Sequence, residues 1–179
     1  MKKIWIFFLL ALIALAIWGC AHKTSTTTIY LPATPPPATD RTHIAANCPP
    51  NLSEEWQHVY NPDRLDVKEQ CRIVTGKIEA ISSEPDGDYH IRLKLDPGQE
   101  SLLNPTNIRR QHGDLVIEPI CEHKVSQDSA KDACKNFVGG VKKPSTGQHV
   151  KVAGSYVHDT EGGHGWMEIH PAVIIEEIP

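Results

Sequence analysis

The sequence has no excess of positive charge and few aromatic side chains. Its 179 residues include 18 lysines and arginines against 22 aspartates and glutamates, for a net charge of −4, and only 6% of them are aromatic. A protein that binds nucleic acid non-specifically needs a basic surface to neutralise phosphates. The charge balance therefore disfavours nucleic acid as a partner.

The chain also has no hydrophobic run long enough to cross a bilayer as a helix. Its longest run, Ile4 to Trp18, has fifteen residues, whereas a spanning helix needs roughly 20. The run follows Lys2 and Lys3 and ends before Gly19-Cys20, which is the layout of an export signal. An uncleaved membrane anchor is the alternative interpretation. Both interpretations place the rest of the chain outside the cytoplasm.

The segment Ile17-Trp18-Gly19-Cys20 resembles the lipobox of bacterial lipoproteins, with Trp18 bulkier than the residue usual there. The resemblance implies that residues 1–19 are a signal peptide and that Cys20 carries the lipid, acyl chains such as palmitate included. We therefore expect an exported protein that is anchored by this lipid to the cell membrane or the outer membrane.

Residues 20–47 contain few core-forming residues and many threonines and prolines. Such a composition predicts a disordered tether that lifts the following domain off the membrane. Residues 48–179 then form one domain, which is long enough to bury a single core.

The cysteines of this domain lack any C-x-x-C pair, which disfavours a structural zinc site. Cys48, Cys71, Cys121 and Cys134 make an even number, as expected for two disulfides in an oxidising compartment. Three pairings are possible, and we favour the local one, Cys48–Cys71 with Cys121–Cys134. Each bond would contribute on the order of 3 kcal/mol by restricting the unfolded chain.

Hydrophobic periodicity predicts five strands and one short helix. In Tyr89–Asp96 the apolar residues alternate cleanly with polar ones, which is typical of a half-buried strand. Ser126 is a candidate cap for the helix, and Gly139-Gly140 a stop signal for it. The predicted elements are strands at 71–82, 89–96, 114–121, 148–158 and 166–178 and a helix at 127–137.

Three strands, a helix and two strands is the element order of an OB-fold, a five-stranded Greek-key barrel. Gly76 and Gly154 fall inside predicted strands, where the curvature of a barrel commonly requires glycine. We therefore expect a mainly β, OB-like domain with its helix between strands 3 and 4. An open β-sandwich is the alternative.

Two polar segments, residues 86–90 and 164–171, stand out as a candidate site. Alternate residues of a strand face the same side, so the periodicity predicts that the polar side chains of both segments lie opposite the apolar face. In a barrel of this topology the two segments can approach one another. The candidate residues are Asp86, Asp88, His90, His164, Trp166, Glu168 and His170.

Imidazoles with carboxylates are suited to a divalent metal such as zinc, manganese or iron, and carboxylates alone to calcium. A histidine–carboxylate pair is also suited to general acid–base catalysis. The plain alternative is a turn and a set of satisfied buried hydrogen bonds. Glu118 is a further candidate, for which we expect a solvated strand position.

The domain from Cys48 onward resembles a group of small exported bacterial and archaeal OB-like domains that have no established activity. The resemblance supports the fold and the paired cysteines. It rests on residues 61–65, 86–90 (Asp-Gly-Asp-x-His), 116–119 and 164–171 (His-Gly-Trp-x-Glu-Ile-His-Pro), with Cys121 and Cys134.

A second resemblance is partial. Asp86-Gly87-Asp88 is similar to the turn that feeds the calcium site of thermonuclease-like enzymes, which are exported OB-folds. Arg92, Asp96 and Glu100 loosely match the residue types of their active site, although the spacing is compressed and Tyr89 stands where threonine is expected.

These features lead to three functional hypotheses. The first is a lipid-anchored binding module for a polar ligand or metal ion, with an envelope polymer or a protein as a further partner. The second is a metal-dependent, thermonuclease-like phosphodiesterase, and the third is a structural envelope lipoprotein. No catalytic residue is assigned, and the only cofactor considered is a divalent metal ion.

Overall fold

The computed structural model describes residues 49–179, which form a mainly β domain. Its strands are β1 (Leu65–Ser83), β2 (Tyr89–Leu95), β3 (Leu115–Ile117), β4 (His149–Asp159) and β5 (Met167–Glu177). Its helices are the short α1 (Leu52–Glu55) and α2 (Pro105–Arg110). Single 3-10 turns occur at Trp56–His58, Pro62–Arg64, Glu100–Leu102 and Asp128–Ala130.

The five strands close into a ring in the order β1-β2-β3-β5-β4. All neighbours are antiparallel except β3 and β5, which pair in parallel. The long strand β1 pairs with β4 along its first part and with β2 along its last part. A mainly β fold is thus confirmed.

Alternation of side chains determines which residues fill the ring. In β2, Ile91 and Leu93 are fully buried, as their spacing predicted. They join a core of hydrophobic residues drawn from all five strands.

A second, smaller core lies outside the ring. Val157 of β4 packs there with Val59, Leu65, Ile120 and Cys121. Val157 of β4 is paired with Glu168 of β5, and paired residues face the same side of a sheet. The outer face of β5 at Glu168 therefore lies against this layer. Polar residues on that face are therefore buried.

The predicted disulfide Cys121–Cys134 is confirmed. Cys71 is also disulfide-bonded, whereas its predicted partner Cys48 lies outside the described residues. The predicted signal peptide, tether and lipidated Cys20 lie outside them too. Within residues 49–179, no helix is long and apolar enough to cross a membrane.

The helix predicted over residues 127–137 is wrong. The segment contains only the 3-10 turn Asp128–Ala130, followed by further turns. Ser126 directs its hydroxyl to the carbonyl of Pro85 instead of capping a helix. Beyond the turn, Cys134 is tied to Cys121 by the disulfide, and Asn136 adopts a left-handed conformation (φ 60°), which an α-helix does not accommodate.

Candidate functional site

Glu118 is the centre of a buried polar network. It directly follows β3, and its backbone is fixed on both sides: its N–H donates to Ile169 (3.0 Å), and its carbonyl accepts from Ala172 (2.9 Å). One carboxylate oxygen lies 2.9 Å from Nδ1 of His90, and the other lies 2.8 Å from Nδ1 of His170. A single carboxylate therefore joins the start of β2 to β5.

The β5 side of the network contains a second acid. Glu168 accepts a hydrogen bond from the Trp166 indole N–H (2.8 Å), and its other oxygen lies 3.2 Å from Nδ1 of His170. Glu168 and His170 are both completely buried. Because they share the outer face of β5, their contact follows directly from the period of a strand.

Arg64 brings a buried positive charge to the same place. It ends the 3-10 turn before β1 and makes a hydrogen-bonded ion pair with Asp159. Its guanidinium nitrogens lie 3.6 Å from a carboxylate oxygen of Glu161 and 3.9 Å from oxygens of Glu118 and Glu168. Burial opposes its charge, but these acids raise the pKa of Arg64.

His164 and Trp166 form an aromatic edge to the network. Nδ1 of His164 lies 2.6 Å from Asp159, and its ring stacks on that of Trp166 with centroids 4.3 Å apart. His90 meets the same indole edge-on at 5.7 Å. Nε2 of His90 lies 3.2 Å from the side-chain oxygen of Gln111, so both of its ring nitrogens face acceptors.

These contacts place positive charge on the two imidazoles. Although burial disfavours it, the hydrogen bond and charge of Glu118 raise the pKa of His90 to about 9. Glu118 and Glu168 likewise raise the pKa of His170 to about 10 against the effect of burial. In return, hydrogen bonds from both histidines hold the pKa of Glu118 well below its usual range, again against burial.

The Asp-Gly-Asp turn lies beside the network. Asp88 is buried, and its Oδ1 accepts a hydrogen bond from the backbone N–H of Cys121 (2.7 Å). Asp86 accepts one from the N–H of Asp88 (3.2 Å). Burial raises the pKa of both carboxyls, that of Asp88 to about 7.

An open cleft of about 360 Å³ lies over the network. Its lining combines acids with an arginine and two histidines, so it offers hydrogen-bond donors and acceptors of both charge signs. Among the lining residues are Arg64, Asp86, His90, Glu118, Glu161, His164 and Trp166.

The structure brings the predicted polar residues to one side of the ring. Asp86, His90, His164 and the largely buried Trp166 line the cleft, whereas Asp88, Glu168 and His170 are buried and are not part of its lining. The expectation that Glu118 is solvated is wrong, because only 11% of its side chain is exposed. Its carboxylate is surrounded by side chains from other parts of the sequence, Arg64, His90 and His170.

Three members of the site were not predicted from the sequence: Arg64, Gln111 and Asp159. Arg64 lies in one of the segments quoted for the resemblance, Asn61–Leu65, which was the only signal for it. Asp159 ends β4, directly before the loop that holds His164. Nothing in the local sequence pattern marks Gln111.

The residues that match thermonuclease-like enzymes lie in three separate sets of contacts. Arg92 pairs with Asp114 and Asp96 with His149, both at 2.9 Å, and Glu100 accepts from the N–H of Gly98. The constellation needed for that chemistry is not assembled by these contacts.

Three groups of described residues have one possible ligand atom per residue within 4.8 Å of the others: Asp88 with Cys121 and Cys134, Asp88 with Glu118 and His170, and Asp159 with Glu161 and His164. In the first group the two cysteines are joined in a disulfide, so their thiolates are not available as ligands. The group around Asp159 already has a cation, since Arg64 is paired with two of its acids.

Comparisons of the chain with protein-family models, with curated proteins and with solved structures return no match.

Proposed function

We propose that this protein is a lipid-anchored binding module of the cell envelope. Its cleft takes a polar segment of an envelope polymer. The cleft supports this proposal. Side chains from six separate parts of the domain line it and present charges of both signs around the His90–Glu118 pair. Polar groups placed convergently in a concave site fix the orientation of a ligand.

The anchor rests on the first twenty residues. Lys2 and Lys3, the apolar run and Cys20 support export and lipid attachment. We expect the wild-type chain to incorporate a palmitate analogue and to sediment with membranes, and the Cys20→Ser variant to do neither. A Cys20→Ser chain that is still labelled would contradict the lipid site.

The OB-like assignment rests on topology. A closed ring in the order β1-β2-β3-β5-β4, with a parallel β3–β5 pair, supports a Greek-key barrel of the OB type. The element between β3 and β4 departs from that pattern, since turns stand there in place of a helix. Proteins with OB-folds bind oligonucleotides and oligosaccharides on their surfaces, and the acidic composition favours a saccharide-containing ligand over a nucleic acid.

The fluorescence of Trp166, which lines the cleft, can be used to detect binding there. A soluble disaccharide–peptide fragment of peptidoglycan is a suitable ligand for this test. This fragment carries hydroxyls, amides and charges of both signs, which match the lining. From Cys20 onward the tryptophans are Trp56 and Trp166, so in a processed Trp56→Phe chain the emission comes from Trp166. We expect the fragment to shift that emission in a saturable way.

A matched pair of variants tests whether binding occurs in the cleft. Glu161 lines it with 49% of its side chain exposed, whereas Glu176 is similarly exposed (56%) in a pair with Lys151. We expect Glu161→Gln to weaken binding by roughly tenfold, the value of one charged hydrogen bond, and Glu176→Gln to leave it unchanged. Absence of any saturable response in the Trp56→Phe chain would overturn the proposed ligand class.

A metal-dependent hydrolase is the second candidate. The observation that favours it is the His90–Glu118 pair on the cleft wall, since a carboxylate-oriented imidazole is suited to general acid–base catalysis. Plasmid DNA with added Ca²⁺, Mg²⁺ or Zn²⁺ tests this candidate. Metal-stimulated cleavage that is lost in His90→Gln would favour the hydrolase. If the protein shows no fragment binding, no metal binding and no cleavage, the remaining hypothesis is a structural envelope lipoprotein.

A further inference from the structure

Gln111 presents an unused hydrogen-bond donor to the cleft. It directly follows α2, lines the cleft and is only 6% exposed. Its side-chain oxygen lies 3.2 Å from Nε2 of His90, whereas its NH₂ group makes no hydrogen bond within residues 49–179. A ligand in the cleft therefore meets a donor for which no protein group competes.

The charge of His90 fixes the orientation of this amide. Burial lowers the pKa of His90, but the hydrogen bond and charge of Glu118 outweigh it and raise the pKa to about 9. Both ring nitrogens of His90 therefore carry hydrogens at neutral pH, and Nε2–H needs an acceptor. Only the oxygen of the Gln111 amide can accept this hydrogen bond, so the NH₂ group points away from the ring.

Arg64 adds further donors beside the other oxygen of Glu118. Its side chain lines the cleft and is 8% exposed. While Nη1 donates to Asp159, Nη2 lies 3.9 Å from Glu118 and Nε lies 3.6 Å from Glu161. Both distances exceed that of a hydrogen bond. These N–H groups can therefore also donate to a ligand.

The charges around these donors favour a neutral acceptor over an anionic one. A ligand carboxylate would meet an excess of negative charge, because four acids lie within 3.9 Å of the Arg64 guanidinium. An amide carbonyl accepts a hydrogen bond without adding charge, and the N–H of the same amide can donate to an acid. The four acids are Glu118, Asp159, Glu161 and Glu168.

We propose that Gln111 selects a neutral amide group in the ligand, whose carbonyl accepts a hydrogen bond from the Gln111 NH₂ group. This role rests on the proposed function and specifies which group of the polymer the cleft recognises. In peptidoglycan such amides occur in the acetamido groups of the sugars and in the peptide stem. A de-N-acetylated sugar carries an ammonium group instead, which has donors only and cannot accept.

Two disaccharides and a peptide test this selection through the emission of Trp166 in the processed Trp56→Phe chain. N,N′-diacetylchitobiose offers acetamido groups without a peptide, its de-N-acetylated counterpart offers ammonium groups at pH 6, and the stem peptide offers amides without a sugar. Binding of the first or the last identifies the source of the amide. We expect the ammonium disaccharide to bind at least tenfold more weakly than the better amide ligand. Equal affinities overturn the proposal.

Gln111→Glu, made in the same chain, tests the residue itself. The carboxylate keeps an acceptor for His90 and removes the free donor. We expect the ratio of amide affinity to ammonium affinity to fall about tenfold, the value of one hydrogen bond to a charged group. Gln70→Glu is the matched control, because Gln70 is exposed on β1 and does not line the cleft. An equal ratio in the two variants overturns the proposal.

The chain without Gln111→Glu keeps the proposal falsifiable if that variant fails to fold. The amide ligand must shift the NMR signals of the Gln111 NH₂ group and leave those of Gln99, which donates to the carbonyl of Thr75 (2.9 Å), in place. Unmoved Gln111 signals with a saturable Trp166 response overturn the role of Gln111 and leave the binding module standing. No Trp166 response to any amide ligand or to the peptidoglycan fragment overturns both.

Discussion

At the residue scale, the polar network is built on one carboxylate held between two imidazoles. Glu118 compensates the charges of His90 and His170, and Arg64 lies within 3.9 Å of the same carboxylate. The side chains of β5 were predictable because the period of a strand places Glu168 and His170 together. The burial of Glu118 was not, because it depends on contacts with Arg64, His90 and His170, which come from other elements of the fold.

We expect Glu118→Gln to destabilise the domain by about 3–5 kcal/mol, as for a buried ion pair that loses one partner. An amide has a single acceptor oxygen, so one of the two charged imidazoles would face its NH₂ group. Urea unfolding at pH 7 measures the loss. The control is Glu176→Gln, whose exposed ion pair contributes about 0–1 kcal/mol. Equal, small effects of the two substitutions would contradict the role of Glu118.

Glu55 offers a pH test away from the site. Burial, followed by the charge of Glu122, raises the pKa of Glu55 from 4.5 to about 7. The folded state therefore holds this proton more tightly than the unfolded state, and the associated stability is present below pH 4.5 and lost as the pH rises towards 7.

We expect the free energy of unfolding of the wild type to fall by on the order of 1–3 kcal/mol between pH 5 and 8, relative to that of the Glu55→Gln variant. The free energy of unfolding of both proteins, measured across this range, gives the difference. Parallel pH profiles would show that Glu55 ionises normally in the folded protein.

At the element scale, strands were predicted better than helices. Alternation located β2 and β4 to within two residues because one face of each fills the ring. Helix α2 was missed although Asn104 and Pro105 are a standard start signal, and Asn104 caps it with a capping box. The segment after Ser126 resembles a helix in its spacing, but its backbone instead forms three-residue turns held by the disulfide.

Two strands come close enough at Gly154 to exclude any side chain. A Cβ there would lie 2.2 Å from the carbonyl oxygen of Pro171 and 2.5 Å from a methyl of Ile169. We expect Gly154→Ala to cost about 1–3 kcal/mol, as overpacking does. Gly140→Ala is the control because nothing lies within 4 Å of its Cβ position. Thermal unfolding of both variants tests this, and an unchanged Gly154→Ala protein would contradict the close approach of β4 and β5.

At the scale of the whole molecule, a small acidic domain carries two cores with the polar network beside the outer one. The apolar core fills the ring, and the second core covers the outer face of the sheet where Val157 and Glu168 are partners. This cover buries charged residues that would be solvated on a bare sheet. His90, on the wall of the cleft, is left half-buried.

An NMR spectrum of the histidine ring nitrogens, followed during titration with the peptidoglycan fragment, tests directly whether the ligand binds in the cleft. His90 and His164 line the cleft, whereas His149 lies beside Asp96 elsewhere. We expect saturable shifts of the His90 and His164 signals at a common affinity, with the His149 signals unmoved. Shifts confined to His149, or no shift of any ring, would contradict a binding site in this cleft.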